Sequence, residues 1–553
     1  MKFPNTIALL KTNILLKILF IFITYLSFTV TNLFYNSTQS PDFAKYKNYI
    51  DYYLGSNIVT NLEQGNLYFY LISLSIDVNS NNLSIRNIEE YLSYRVQLGN
   101  FVIYIFFILG LYKLLKFYKI SENNIYTLLI VLNFFPPLLA LRIIFKPEIL
   151  ILSLFVYCLY YIENFLKNRS YTNVFYFWCF FSLILSTKFT PAIMICGFIA
   201  ISYFKIFITK HKNITIISSL MVTILFLILS FENYDINGLA FYESERQYSD
   251  LYESKPKSNF LYNINISDLV FNPIKNYHSD SMIGIVLLET FDDYFHLYWN
   301  NDESLFSKNE LFNSNNYRIF TGVFLTLLYF FYAFFLSFKN RKFKRYYLSP
   351  LIGIVTMYLI SNFVLFNSQT GDMMKNYYYA FFLVISFSFS FISLLIRFNR
   401  LKYPIIALFI ISNIYIFGFP KSIDLQFKNR MSEQNSALFT CDLNADLFGL
   451  NNKKCTKQLN ICDDIFMNYK KTEIINGQII NIELDAFNSF TMYKNLNEVK
   501  IDNILDCQKF VEEGWSLSDQ FTRKKEPPYL SILFLLFPIL IEFFILFKNK
   551  FRT

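Results

Sequence analysis

FKPEILILSLFVYCLYY, residues 145–161, sets a lysine and a glutamate in front of a run of apolar side chains. The run continues to about residue 166 and stops at Lys167 and Arg169. A segment of about 20 mostly apolar residues is the length that crosses hydrocarbon as a helix, because a helix satisfies every backbone N–H and C=O internally. Working outward in both directions, the same pattern recurs. About twelve such segments are expected, near residues 12–34, 97–112, 125–144, 148–166, 172–187, 190–204, 213–231, 317–338, 346–366, 377–396, 403–420 and 528–547.

Composition agrees with this pattern. The chain has 553 residues, 54% hydrophobic and 16% charged, where soluble chains average about 25% charged. The net charge of +9 does not point to nucleic acid, because the basic residues fall in short clusters between apolar segments. With the N-terminus inside, those clusters all land on one side: Lys113, Lys116 and Lys119; Lys167 and Arg169; Lys205, Lys210 and Lys212; Lys339, Arg341, Lys342, Lys344 and Arg345; Arg397, Arg400 and Lys402; and Lys548, Lys550 and Arg552. That is the positive-inside pattern. The apolar run after the basic start Met1–Lys11 is too long for a signal-peptide core and lacks a small-residue cleavage site, so it is read as a span.

The expected fold class is therefore an all-α polytopic membrane protein of about twelve transmembrane helices with extracytoplasmic loops. Residues 1–420 form the membrane domain, with long outer loops at 35–96 and 232–316; residues 421–527 form an extracytoplasmic domain, and 528–553 a final helix and cytoplasmic tail. The outer domain is expected to be small and mixed α/β. In EIINGQIINIEL, residues 473–484, Asn476-Gly477 between β-rich runs signals a hairpin. MIGIVLLETF, residues 282–291, is too short to span and reads as an interfacial or buried helix. Cys158, Cys179 and Cys196 fall in spans, as ordinary packing. Cys441, Cys455, Cys462 and Cys507 all fall in the outer domain, which suggests disulfides with three possible pairings; zinc is disfavoured by irregular spacing and the lack of a nearby histidine. Neither G-x-x-x-x-G-K-[ST] nor G-x-G-x-x-G occurs.

The specific signal lies at the outer ends of the spans. Asp42 follows the first span in SPDFAKY. Pro41 biases the chain out of helix there, and Phe43 and Tyr46 are expected to anchor the next turn in the interface. Arg142, Lys146 and Glu148 sit between the third and fourth spans, Lys188 in STKFTP, and Asp372 and Lys375 in GDMMKNYYY. Singly, each is a solvated or snorkelling charge. As a set, outer basic residues run against the positive-inside bias and call for acidic partners or an anionic ligand. Cations around a carboxylate suit chemistry on a lipid-linked phosphate: the cations stabilise the leaving group, and the carboxylate accepts a hydroxyl proton.

At this point the chain resembles the GT-C type integral membrane glycosyltransferases, which include the protein O-mannosyltransferases and the bacterial aminoarabinose transferase. The likeness rests on PDFAKY (41–46), GNLYFYLISL (65–74), FKPEILILSLFVYCLYY (145–161) and LSTKFTPAIM (185–194), and it covers the layout of about the first 420 residues. The family's paired acidic residues of the first outer loop are reduced here to Asp42. The resemblance implies a polyprenyl-phosphate-linked sugar as donor, Asp42 as base, and Arg142, Lys146, Glu148, Lys188, Asp372 and Lys375 as substrate-binding residues. The acceptor would be a glycan, a lipid or a protein. It also implies a plasma membrane of the bacterial inner-membrane type, with both termini cytoplasmic and the site outside. The sequence points to no definite cofactor. A divalent metal is the one cofactor considered, with Asp292, Asp293 and His296 as weak ligands, although an aromatic belt with solvated charges is the more ordinary reading. Two other functions remain open: a transporter of lipid-linked oligosaccharides, and a polysaccharide polymerase. Transporters place charge near mid-membrane, whereas the span centres here are nearly free of it.

Overall fold

The computed structural model describes residues 4–34, 37, 46, 49–50, 53, 65–76, 85–210, 212–237, 282–289, 308–363, 376–398, 404, 407, 470–475, 478–483, 490–494, 497–501, 509 and 527–550. Helices follow one another as α1 (Pro4–Phe34), α2 (Asn66–Ser73), α3 (Ile85–Phe117), α4 (Glu122–Leu132), α5 (Pro136–Ile143), α6 (Glu148–Asn168), α7 (Tyr171–Thr187), α8 (Phe189–Lys210), α9 (Lys212–Asn237) and α10 (Met282–Glu289). After these come α11 (Lys308–Lys339), a 3-10 turn at Arg341–Phe343, α12 (Lys344–Tyr347), α13 (Ser349–Phe363), α14 (Asn376–Arg397) and α15 (Tyr529–Lys550).

The chain is a helical membrane protein by the length and apolarity of its helices. Among the described residues, four stretches are long and apolar enough to cross: Ile14–Asn32, Leu92–Phe117, Glu148–Asn168 and Tyr379–Arg397. Two bent pairs, α4 with α5 and the end of α11 with the turn that follows it, raise the number to six. Shorter apolar helices run at Pro191–Tyr203, Ile216–Ser230 and Tyr529–Ile541. Of the expected span at 403–420, all but residues 404 and 407 lie outside the described residues. The outer faces of α1, α9 and α11 leave Ile21, Leu220 and Phe331 exposed, as side chains against acyl chains should be. By contrast α6 and α14 are largely buried and form the core.

The segment 125–144 reads as one span but is built as two helices meeting at 61°. Pro136 and Pro137 explain the break, since neither has an N–H to continue the ladder. Pro137 cannot supply the bond that the Asn133 carbonyl would otherwise accept; the Ser27 hydroxyl donates to it instead, at 3.1 Å. The Asn133 side chain closes the rest of the gap. Its Nδ2 donates to Thr24 Oγ1 and to the Leu129 carbonyl, and its Oδ1 accepts from Tyr104. An interruption inside a membrane is tolerated where side chains satisfy the freed backbone in this way.

The loops gather at two ends. At one, Gly65 N donates to the Thr187 carbonyl at 3.0 Å, the Ser37 hydroxyl donates to the Ile143 carbonyl, and Glu232 near the end of α9 accepts from Ser531 N and Oγ at the start of α15. At the other, Tyr118, Glu163, Tyr203 and Tyr346 meet. On either side of Asn476-Gly477, which lie outside the described residues, Lys470–Ile475 (β1) pairs antiparallel with Gln478–Glu483 (β2), with Ile475 opposite Gln478. A second hairpin joins Phe490–Lys494 (β3) to Asn497–Ile501 (β4). MIGIVLLETF carries the short helix α10.

Candidate functional site

The first of the two ends carries the candidate site, and its geometry begins with Pro147. This proline ends α5 and starts α6, so three carbonyls at the end of α5 need other donors. Asn100 of α3 supplies two of them through Nδ2, to the Arg142 carbonyl at 3.0 Å and the Ile144 carbonyl at 2.9 Å. Ser37 supplies the third, to the Ile143 carbonyl. Asn100 is held in turn by the Tyr68 hydroxyl, which donates to its Oδ1 at 2.9 Å. The turn from Ile144 to Pro147 is thus fixed from α2, α3 and residue 37, and the Lys146 N–H closes back onto the Ile144 carbonyl at 3.0 Å.

On this turn stand Lys146 and Glu148, both buried. Glu148 opens α6, where the unpaired N–H groups of a helix N-terminus favour a carboxylate. Its Oε1 accepts from Lys188 Nζ at 2.7 Å. Glu148 is 1% exposed and Lys188 16%, so this pair is shielded from water and from salt screening. Glu148 Oε2 is also buried and has no hydrogen-bond partner among the described residues. A buried charged oxygen left unpaired costs more than an ordinary hydrogen bond contributes, so it is an acceptor in want of a donor.

Aromatic rings wall the site. Tyr46 packs 5.5 Å from Phe69 and 6.0 Å from Phe145 between ring centroids, and the Lys146 ammonium lies 5.9 Å from the Tyr46 ring. Tyr49 stacks on Phe69 at 3.8 Å. Tyr46 is therefore not an interfacial anchor, as its position after the first span suggests, but a buried side chain packed between α2 and the turn that precedes α6. The loop also meets the hairpin between α7 and α8. A Cβ at residue 65 would fall 2.0 Å from the Ser186 carbonyl oxygen, so only glycine permits that approach.

Of the residues singled out in the sequence, Glu148 and Lys188 meet, and Lys146 stands two residues before Glu148 with its ammonium over the Tyr46 ring. Arg142 does not join them. It lies inside α5, its Nη1 donates to Ser27 Oγ at 3.0 Å, and its guanidinium sits 4.6 Å from the Tyr104 ring. There it braces the bend against α1 and α3. Asp42, Asp372 and Lys375 lie outside the described residues, as do Asp292, Asp293 and His296 and the four cysteines of the outer domain. Among the described residues no group of three His, Cys, Asp or Glu is placed to hold a metal.

The sequence reading missed Asn100, Ser37 and Tyr68. Asn100 lies in a strongly apolar stretch, and a polar residue there is a signal in itself. It also missed Glu163 at the opposite end, which accepts from Tyr203 at 2.8 Å and Tyr346 at 2.7 Å and lies 3.4 Å from Arg345. Comparisons with protein-family models, with curated proteins and with solved structures find no match for this chain.

Proposed function

We propose that this chain is a membrane glycosyltransferase that transfers a sugar from a polyprenyl-phosphate donor to an acceptor at the outer face, in the assembly of a cell-envelope glycan or glycolipid. The observation that carries this reading is Glu148, pinned through one oxygen by Lys188 and holding the other buried, without a hydrogen-bond partner among the described residues, two residues along the chain from Lys146. Two cations and one carboxylate leave one net positive charge among these three residues, which suits the single negative charge of a sugar phosphodiester. The open Glu148 oxygen suits a sugar hydroxyl as donor. In this reading the acceptor hydroxyl loses its proton to Asp42, and its oxygen attacks the anomeric carbon. The bond from that carbon to the phosphate oxygen breaks, and polyprenyl phosphate leaves against Lys146 and Lys188. A single displacement inverts the anomeric centre. The proposal includes twelve spans, cytoplasmic termini and an extracytoplasmic domain at 421–527.

The transporter reading has one observation of its own: two bent helix pairs, at 61° and 116°, since broken helices mark substrate sites in transporters. Reconstituted protein separates the two. Vesicles loaded with polyprenyl-phosphate sugar are followed by mass spectrometry for free polyprenyl phosphate. Accumulation of that product in proportion to protein supports the transferase; movement of intact donor between leaflets without product rejects it.

A further inference from the structure

At the end of the bundle away from Glu148, α11 stops at Lys339 and the chain turns by 116°. The turn reads KNRKFKRYY, residues 339–347. Its backbone is held firmly. Phe343, Tyr346 and Tyr347 are buried, Tyr346 stacks on Phe389 of α14 at 4.0 Å, and Phe343 lies 5.2 Å from the same ring. The Tyr346 hydroxyl donates to Glu163, and Tyr347 shares a 2.7 Å hydrogen bond with Ser393. The buried aromatics fix which way the remaining residues face. Lys339, Arg341, Lys342 and Lys344 are all exposed.

Charge on this turn is uncompensated. Arg345 pairs with Glu163 at 3.4 Å. Lys339, Arg341, Lys342 and Lys344 form no ion pair among the described residues, and residues 311–371 contain no Asp at all and no Glu. Lys339 and Lys342 have only rings beneath them, Phe335 at 5.1 Å and Tyr118 at 5.2 Å. A topological signal needs only positive charge at this side of the membrane. It does not need four cations fixed on a rigid turn.

A second observation lies directly below. The outward face of α11 leading to Lys339 exposes Phe324, Leu327, Leu328, Phe331, Phe334, Phe335 and Phe338, with Phe331 71% and Phe338 67% exposed. A wide apolar face capped by fixed cations has the shape of a phospholipid: acyl chains along the helix, phosphate at its end. We propose that this face binds an anionic phospholipid, its chains against the α11 phenylalanines and its phosphate among Lys339, Arg341, Lys342 and Lys344. Cationic side chains near an anionic surface each strengthen attraction by about fivefold, so four fixed together give a preference over zwitterionic lipid on the order of a hundredfold or more.

The test uses purified full-length protein in a neutral detergent with phosphatidylglycerol or phosphatidylcholine added at equal levels. Lipid retained per protein is read by native mass spectrometry. Wild-type protein should retain phosphatidylglycerol over phosphatidylcholine, and the preference should fall about tenfold or more when Lys339, Arg341, Lys342 and Lys344 are changed to Gln. A control with Lys548, Lys550 and Arg552 changed to Gln should keep it. Equal retention of the two lipids by wild type overturns the proposal whether or not the variant folds. So does equal loss in the control, or displacement by millimolar inorganic phosphate, which would make the turn a general anion site.

Discussion

Glu148 concentrates the chemistry of the candidate site in one side chain. Glu148→Gln keeps the shape and one hydrogen bond from Lys188 but removes the charge, so the lysine loses its counter-ion in a buried setting. A charge-assisted hydrogen bond contributes about 1.5–3 kcal/mol, and kcat/KM for transfer should fall by roughly 10–100-fold. Lys146→Ala should act on donor use, raising KM for the lipid-linked sugar more than it lowers kcat. Steady-state transfer assays on the two variants check both. The charged members of this cluster were legible in the sequence because outer-side cations break the positive-inside bias. Arg142 shows where that reasoning stops. It sits four residues before Lys146, yet its guanidinium faces Ser27 and Tyr104, because helical rotation within α5 sets its direction and no count of charges does.

The elements depend on a few uncharged contacts. Gly65 lets the start of α2 press against the carbonyl of Ser186, and Asn100 satisfies two carbonyls at the end of α5. Gly65→Ala should push α2 off the hairpin between α7 and α8 and lower the thermal unfolding midpoint. Asn100→Ala should leave the buried Arg142 carbonyl without its donor and the Ile144 carbonyl with the Lys146 N–H alone, costing about 1–3 kcal/mol, and should disturb the Lys146 turn as well. Scanning fluorimetry of detergent-solubilised variants reads both effects; unfolding midpoints equal to wild type would contradict this account of the turn. Most helices were legible from apolar runs near 20 residues. The 61° break at residues 133–135 was not, although Pro136-Pro137 marks its place. A window of hydrophobicity does not register a missing N–H, and the Asn133, Thr24, Ser27 and Tyr104 bonds that make the break tolerable come from three different helices.

At the scale of the molecule, the proposed sidedness rests on the basic clusters. The candidate site at Glu148 and the Glu163 network lie at opposite ends of α6, whose 21 residues span about 30 Å at 1.5 Å per residue. Reporter fusions at Lys344 and Gln458 should therefore report opposite compartments, and the same compartment for both would contradict the topology. If residues 421–527 are exported, Cys441, Cys455, Cys462 and Cys507 should hold at least one disulfide, and thiol labelling of denatured, unreduced protein should find fewer than four free thiols. The central claim is sugar transfer by a carboxylate that follows the first span. Its most direct test is the purified Asp42→Asn protein, folded and reconstituted beside wild type with a polyprenyl-phosphate sugar and an acceptor extract, with release of polyprenyl phosphate measured by mass spectrometry. The amide is nearly isosteric and cannot take the proton, so wild type should release product and the variant none; substantial release by the variant would remove Asp42 from the mechanism, and no release by wild type with any such donor would contradict the transferase itself.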